Sequence, residues 1–178
     1  MISTLLVAHP WLTPAAFALL VLVGPRLGRW LAGRPRVAWA LCGVSLLPVL
    51  ALTLVPVDRE LFERCAVQWA FPTFGRVEMF ANVVLFVPPV LLAAVALRRP
   101  WAAFLAGSAA SALVELVQAL VPAIGRSCDT GDWLSNTTGA LVGAALAWVA
   151  LRLAVRTRDG AGPAPQPGHA ASAGSGRR

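Results

Sequence analysis

Lysine and tyrosine are absent from this chain, and acidic residues are scarce, 8 against 15 arginines in 178 residues. Charged residues of all kinds make up 13%, where a soluble domain carries roughly 25%. A chain so poor in charge cannot clothe a water-facing surface, and a soluble globular protein is excluded. The net charge of +7 invites a nucleic-acid reading. The arginines, however, sit between long apolar runs, where membrane topology signals are found, so no nucleic-acid partner is expected. Only two histidines occur, His9 near the N-terminus and His169 in the C-terminal stretch. Neither is placed to serve as the base of a serine or cysteine hydrolase.

What the chain has in abundance is apolar sequence, 58% of residues. A helix crosses a bilayer core with about 20 apolar residues, each rising about 1.5 Å. Five stretches qualify, near residues 5–24, 37–56, 81–97, 101–121 and 137–155. The expected fold is therefore an all-α integral membrane protein, a bundle of five transmembrane helices. Eleven arginines, among them Arg26, Arg29, Arg34, Arg36, Arg98, Arg99, Arg152 and Arg156, fall on one side of this arrangement. Cationic loops stay in the cytoplasm, so the N-terminus is expected outside and the C-terminus inside. The opposite loops hold four arginines and six carboxylates. The first apolar run has no basic residue before it and reads as an anchor, not a cleaved signal.

Two segments lie outside the spans. Residues 157–178, rich in Gly, Pro, Ala and Ser, have almost nothing to bury and are expected to be a disordered cytoplasmic tail beyond a membrane domain of residues 1–156. Residues 57–80 mix Leu61, Phe62, Trp69, Phe71 and Phe74 with charges and are expected to lie along the outer interface. No internal repeat is visible, which disfavours a transporter of two inverted halves.

Polar residues inside the spans are costly and need a reason. Ser108, Ser111, Glu115 and Gln118 are spaced 3, 4 and 3 apart, which aligns them on one stripe of the fourth helix. Asp129, Asp132 and Asn136 share a face if the fifth helix starts early, and Asn82 opens the third. These residues, with Arg126, outline an outward-facing polar pocket of Asn82, Glu115, Gln118, Arg126, Asp129, Asp132 and Asn136. The plain alternative is a polar staple that fixes helix packing and does no chemistry. Asp129 and Asp132 are the residues a divalent metal would use, although no cofactor is expected. The tripeptide Asp129-Thr130-Gly131 spells the aspartic-protease signature, but only one such Asp is present. Gly139, Gly143 and Ala147 form a small-residue stripe suited to close packing, against helix three or four within the chain in preference to the alternative of a dimer face. Cys65 and Cys128 share the outer side and could pair, although a cysteine is more often a small apolar filler.

Asn82-Val83-Val84-Leu85-Phe86-Val87-Pro88, Glu115-Leu116-Val117-Gln118, Arg126-Ser127-Cys128-Asp129-Thr130-Gly131-Asp132 and Asn136-Thr137-Thr138-Gly139 together resemble the signature of VanZ-like membrane proteins over residues 50–155. The resemblance implies a small multi-helix protein of the bacterial cytoplasmic membrane. The best-known member of that family confers low-level resistance to teicoplanin, a lipoglycopeptide directed at peptidoglycan precursors. It carries over the same seven residues as a site. Pro89, Cys128 and Gly131 depart from the usual pattern. The expected partners are membrane lipids and a lipid-linked cell-wall precursor or lipoglycopeptide. An enzyme acting on phosphate or acyl linkages of envelope lipids, with Glu115 as catalytic base, and a transporter are the alternatives.

Overall fold

The computed structural model describes residues 8–57, 64–73 and 75–159, with backbone alone at 157–159. Five helices make up nearly all of it: α1 (Leu12–Leu31), α2 (Pro35–Leu54), α3 (Val77–Leu97), α4 (Pro100–Leu120) and α5 (Thr130–Asp159). All five are long and apolar enough to cross a membrane. Their outward faces carry Leu19, Leu22, Val44, Leu47, Leu105, Leu113 and Leu120, all exposed, the inverse of a soluble bundle and the pattern that lipid favours.

The helix boundaries correct the sequence reading in two places. α1 does not occupy 5–24 but runs to Leu31 with Pro25 inside it, so Arg26 and Arg29 belong to the helix and not to the loop that follows. α5 starts at Thr130, seven residues before the expected 137, because Asp129 caps its first turn (below). The other three helices fall within a few residues of expectation. The tail expectation falls outside the described residues, apart from 157–159, which continue α5. Among the described residues of 57–80, the chain is irregular apart from a two-residue strand and the first turn of α3.

Helix directions follow from which residues touch. Gly24 and Gly28 of α1 meet Leu91 and Val95 of α3 and Leu146 and Ala150 of α5 in the same order, so α1, α3 and α5 run parallel. Ser111 and Ser108 of α4 meet Asn136 and Thr137 of α5 in reverse order, so α4 is antiparallel to them. A two-residue turn, Arg98-Arg99, joins α3 to α4. Arg98 there adopts the left-handed conformation (φ 55°).

α3 is the hub. It packs against all four other helices, and Val83, Phe86, Val87, Val90, Leu91 and Val95 are buried along it. Its closest partner is α5. A side chain at Gly139 would overlap the Val83 carbonyl, and one at Gly143 would lie 2.6 Å from the Val87 carbonyl and 3.0 Å from the Leu91 nitrogen. In lipid, apolar contact with a neighbouring helix gains little over contact with acyl chains, so van der Waals fit at small residues decides association. The glycine stripe therefore serves packing within the chain, against α3.

At the end opposite the Arg98 turn, Cys65–Ala66 and Cys128–Asp129 pair as two short parallel strands, β1 and β2. Cys65 and Cys128 are joined by a disulfide, with Cα atoms 4.5 Å apart. The filler role is thus overturned for these two and fits Cys42 alone, which is buried with a free thiol. Closing a loop of 63 residues removes chain entropy worth about 4 kcal/mol relative to a free chain.

Two outcomes are expected. Thiol titration of the denatured, unreduced protein should find one reactive group and three after reduction; three without reduction would refute the bridge. Gly143→Leu should abolish a monodisperse folded species in detergent, whereas Gly43→Leu, which meets no atom within 4 Å, should retain it.

Candidate functional site

The polar residues of the sequence pattern lie toward the disulfide end, and most are held at a helix terminus. An α-helix leaves its first N–H groups without partners and carries a partial positive charge there. At the start of α5 these donors meet carboxylates. The Asp129 Oδ1 accepts the Gly131 N–H at 2.7 Å, an N-capping bond. A side chain at position 131 would stand 3.1 Å from that oxygen, so glycine lets the cap close. Glu115, reaching across from α4, accepts the Asp129 N–H through Oε2 at 2.7 Å. Asp132, in the first turn of α5, accepts Asn82 Nδ2 of α3 at 2.7 Å.

Three carboxylates are thereby gathered at one helix N-terminus, each partly buried. Among the described residues their hydrogen-bond donors are backbone N–H and amide groups, not guanidinium. Each carboxylate near a helix N-terminus is stabilised by about 0.3–1 kcal/mol, more when partly buried.

Gln118 and Arg126 do not join this cluster. They turn to the C-terminal end of α2, where carbonyls lack partners. Gln118, buried, donates Nε2 to the Thr53 carbonyl at 2.9 Å, and Arg126 donates Nε to the Val55 carbonyl at a long 3.5 Å. A polar staple could have paired Arg126 with Glu115 or Asp132; among the described residues Arg126 instead makes this contact. Asn136, one turn beyond Asp132, is fully enclosed, donating Nδ2 to Ser111 Oγ at 2.9 Å. Among the described residues its Oδ1 has no partner, and neither does the buried Nε1 of Trp133. Ser108 and Thr137 share a hydrogen bond at 2.9 Å. The polar stripe of α4 is thus matched residue by residue, three members to α5 and its cap and one to α2.

Sequence reading missed Gln68. It donates Nε2 to Asp129 Oδ2 at 2.6 Å, while its backbone exchanges two bonds with the Thr130 hydroxyl. Nothing in the sequence around Gln68 marks it, because it arrives through the pairing of β1 with β2. Trp69 lies edge-on to Trp133, with ring centres 6.4 Å apart, beside the same helix start. Asp129 and Asp132 are hydrogen-bond acceptors here; among the described residues no group of three or more His, Cys, Asp or Glu is placed to hold a metal ion.

The VanZ/LLP1 family model matches residues 33–152, which include every residue of this cluster. The chain belongs to the VanZ/LLP1 family. No curated protein and no solved structure matches it. The match runs from just before α2 to the last turns of α5, so the α3–α5 contact and the capped helix start are parts of the VanZ/LLP1 domain, while α1 lies outside the match.

The geometry separates two properties of Glu115. Glu115→Gln keeps an oxygen to accept the Asp129 N–H and should leave thermal stability nearly unchanged. Glu115→Leu leaves that donor unpaired and should cost about 1–3 kcal/mol. Asp129→Ala removes the cap and should cost about 1–2 kcal/mol. Thermal unfolding in detergent checks all three, and equal losses for Gln and Leu at position 115 would contradict the assigned bond.

Proposed function

We propose that this VanZ/LLP1-family protein works at the outer face of the cell membrane. There its carboxylate cluster receives the polar part of a lipid-linked cell-wall intermediate or a lipoglycopeptide, and so lowers susceptibility to teicoplanin-type antibiotics. The observation that carries the reading is the convergence of Glu115, Asp129 and Asp132 on one helix start with no guanidinium bonded to them among the described residues. Such a surface is rich in acceptors and favours a ligand with amine and hydroxyl donors, as amino sugars and peptides of cell-wall intermediates have. Asn82 and Gln68 hold the acids in place from two sides. Arg126, partly buried and, among the described residues, hydrogen-bonded through a long contact to Val55, is a cation for a ligand carboxylate or phosphate.

Two independent features support an outward orientation for this end. The disulfide belongs to an oxidising compartment. The opposite end carries Arg34, Arg36, Arg98 and Arg99 at its turns, as cytoplasmic ends do.

The test is expression of the wild type, Glu115→Gln and Asp132→Asn at matched membrane levels in a glycopeptide-sensitive host, with teicoplanin susceptibility and binding of fluorescent teicoplanin measured together. The wild type should protect and alter binding. Each variant should lose the effect while folding normally, with affinity down about tenfold or more, the worth of one charge-assisted hydrogen bond. Protection retained in both variants would reduce the cluster to helix capping, and no wild-type effect would detach this chain from glycopeptides.

A further inference from the structure

At the other end of the bundle, α1 and α5 frame a groove of about 390 Å³ lined by Val21, Leu22, Pro25, Arg26, Arg29 and Leu153. It lies beside the tight crossing at which Gly28 meets Ala150. The five α1 residues form a single stripe of that helix, and from Val21 to Arg29 the stripe rises about 12 Å, the depth from upper acyl chain to headgroup. All six lining residues lie outside the segment matched by the family model. The groove is therefore separate from the carboxylate cluster and owes nothing to the reading given to it.

We propose that this groove binds an anionic phospholipid, its phosphate between Arg26 and Arg29 and an acyl chain along Val21, Leu22 and Leu153. Three features select that occupant. Both polar lining side chains are guanidinium groups one helical turn apart, and guanidinium matches phosphate with paired donors. Arg26 donates one N–H to the Leu22 carbonyl, which fixes its stem and leaves most of its five donors for a ligand. Among the described residues no carboxylate lines the groove to receive the ammonium of a zwitterionic headgroup, and four of the six lining residues are apolar, which suits a lipid and not a free anion. Arginines that served only as topology signals would not need an adjoining apolar channel.

Native mass spectrometry of the whole protein, released from nanodiscs of equal dioleoylphosphatidylglycerol and dioleoylphosphatidylcholine, tests this. The wild type should retain phosphatidylglycerol over phosphatidylcholine by about tenfold. Arg26→Gln with Arg29→Gln should erase the preference. Arg34→Gln with Arg36→Gln, which removes the same charge from the same end without touching the groove, should keep it. Leu153→Trp, which fills the groove and spares every charge, should lower retained phosphatidylglycerol severalfold and covers the case in which the double arginine variant fails to fold. Equal retention of the two lipids by the wild type would overturn the proposal. So would equal loss in both double variants, or displacement of the lipid by millimolar inorganic phosphate, the mark of a free-anion site.

Discussion

The arrangement rests on the approach of α5 to α3 at Gly139 and Gly143, where the absence of side chains lets one helix sit against the carbonyls of the other. Lipid provides no hydrophobic drive to bring helices together, so a contact of this closeness supplies the dispersion energy that acyl chains would otherwise match. Everything at the disulfide end inherits its position from that seam. With Gly139 seated on Val83, the start of α5 stands beside the start of α3, and Asn82 reaches Asp132. Gly107 seats α4 against the side chains of Val90 and Ala140, which brings Ser111 and Glu115 to the level of Asn136 and Asp129.

Once the helices are so placed, their dipoles sort the polar groups. The positive start of α5 collects Glu115, Asp129 and Asp132, and the negative end of α2 collects Gln118 and Arg126. Among the described residues the acids and Arg126 take separate hydrogen-bond partners, the acids at the start of α5 and Arg126 at the end of α2. The capping bonds account for why these groups are tolerated near lipid.

How much of this could be read beforehand varies with the distance over which each feature is encoded. Apolar runs encode helices locally, so five spans and the stripe Ser108, Ser111, Glu115 and Gln118 were legible. The limits of α1 and α5 were not, because Pro25 and Arg26 look like a helix end and Asp132, Ser135 and Asn136 look like loop. Packing at Gly28 and the Asp129 cap override both signals. The partners of Arg126 and Gln118 depend on where α2 ends in space, and Gln68 is delivered by strand pairing across 62 residues. Neither leaves a trace in local spacing. The small-residue stripe was readable as a contact surface, and its partner became definite only with the register of α3.

The disulfide has a consequence for biogenesis. Among the described residues, the chain between Cys65 and Cys128 contains α3, the tight Arg98-Arg99 turn, α4 and one 3-10 turn at Pro122–Ile124, so the bond closes a covalent ring around one helical hairpin. If the hairpin spans the bilayer, the ring forms only after both flanks have been exported and the turn has been left behind. A hairpin inserted upside down would keep both thiols in the reducing compartment, and its ring would stay open. In that arrangement the bond would be a molecular receipt of correct insertion, written on the same strand pair that positions Asp129 and Gln68 at the start of α5.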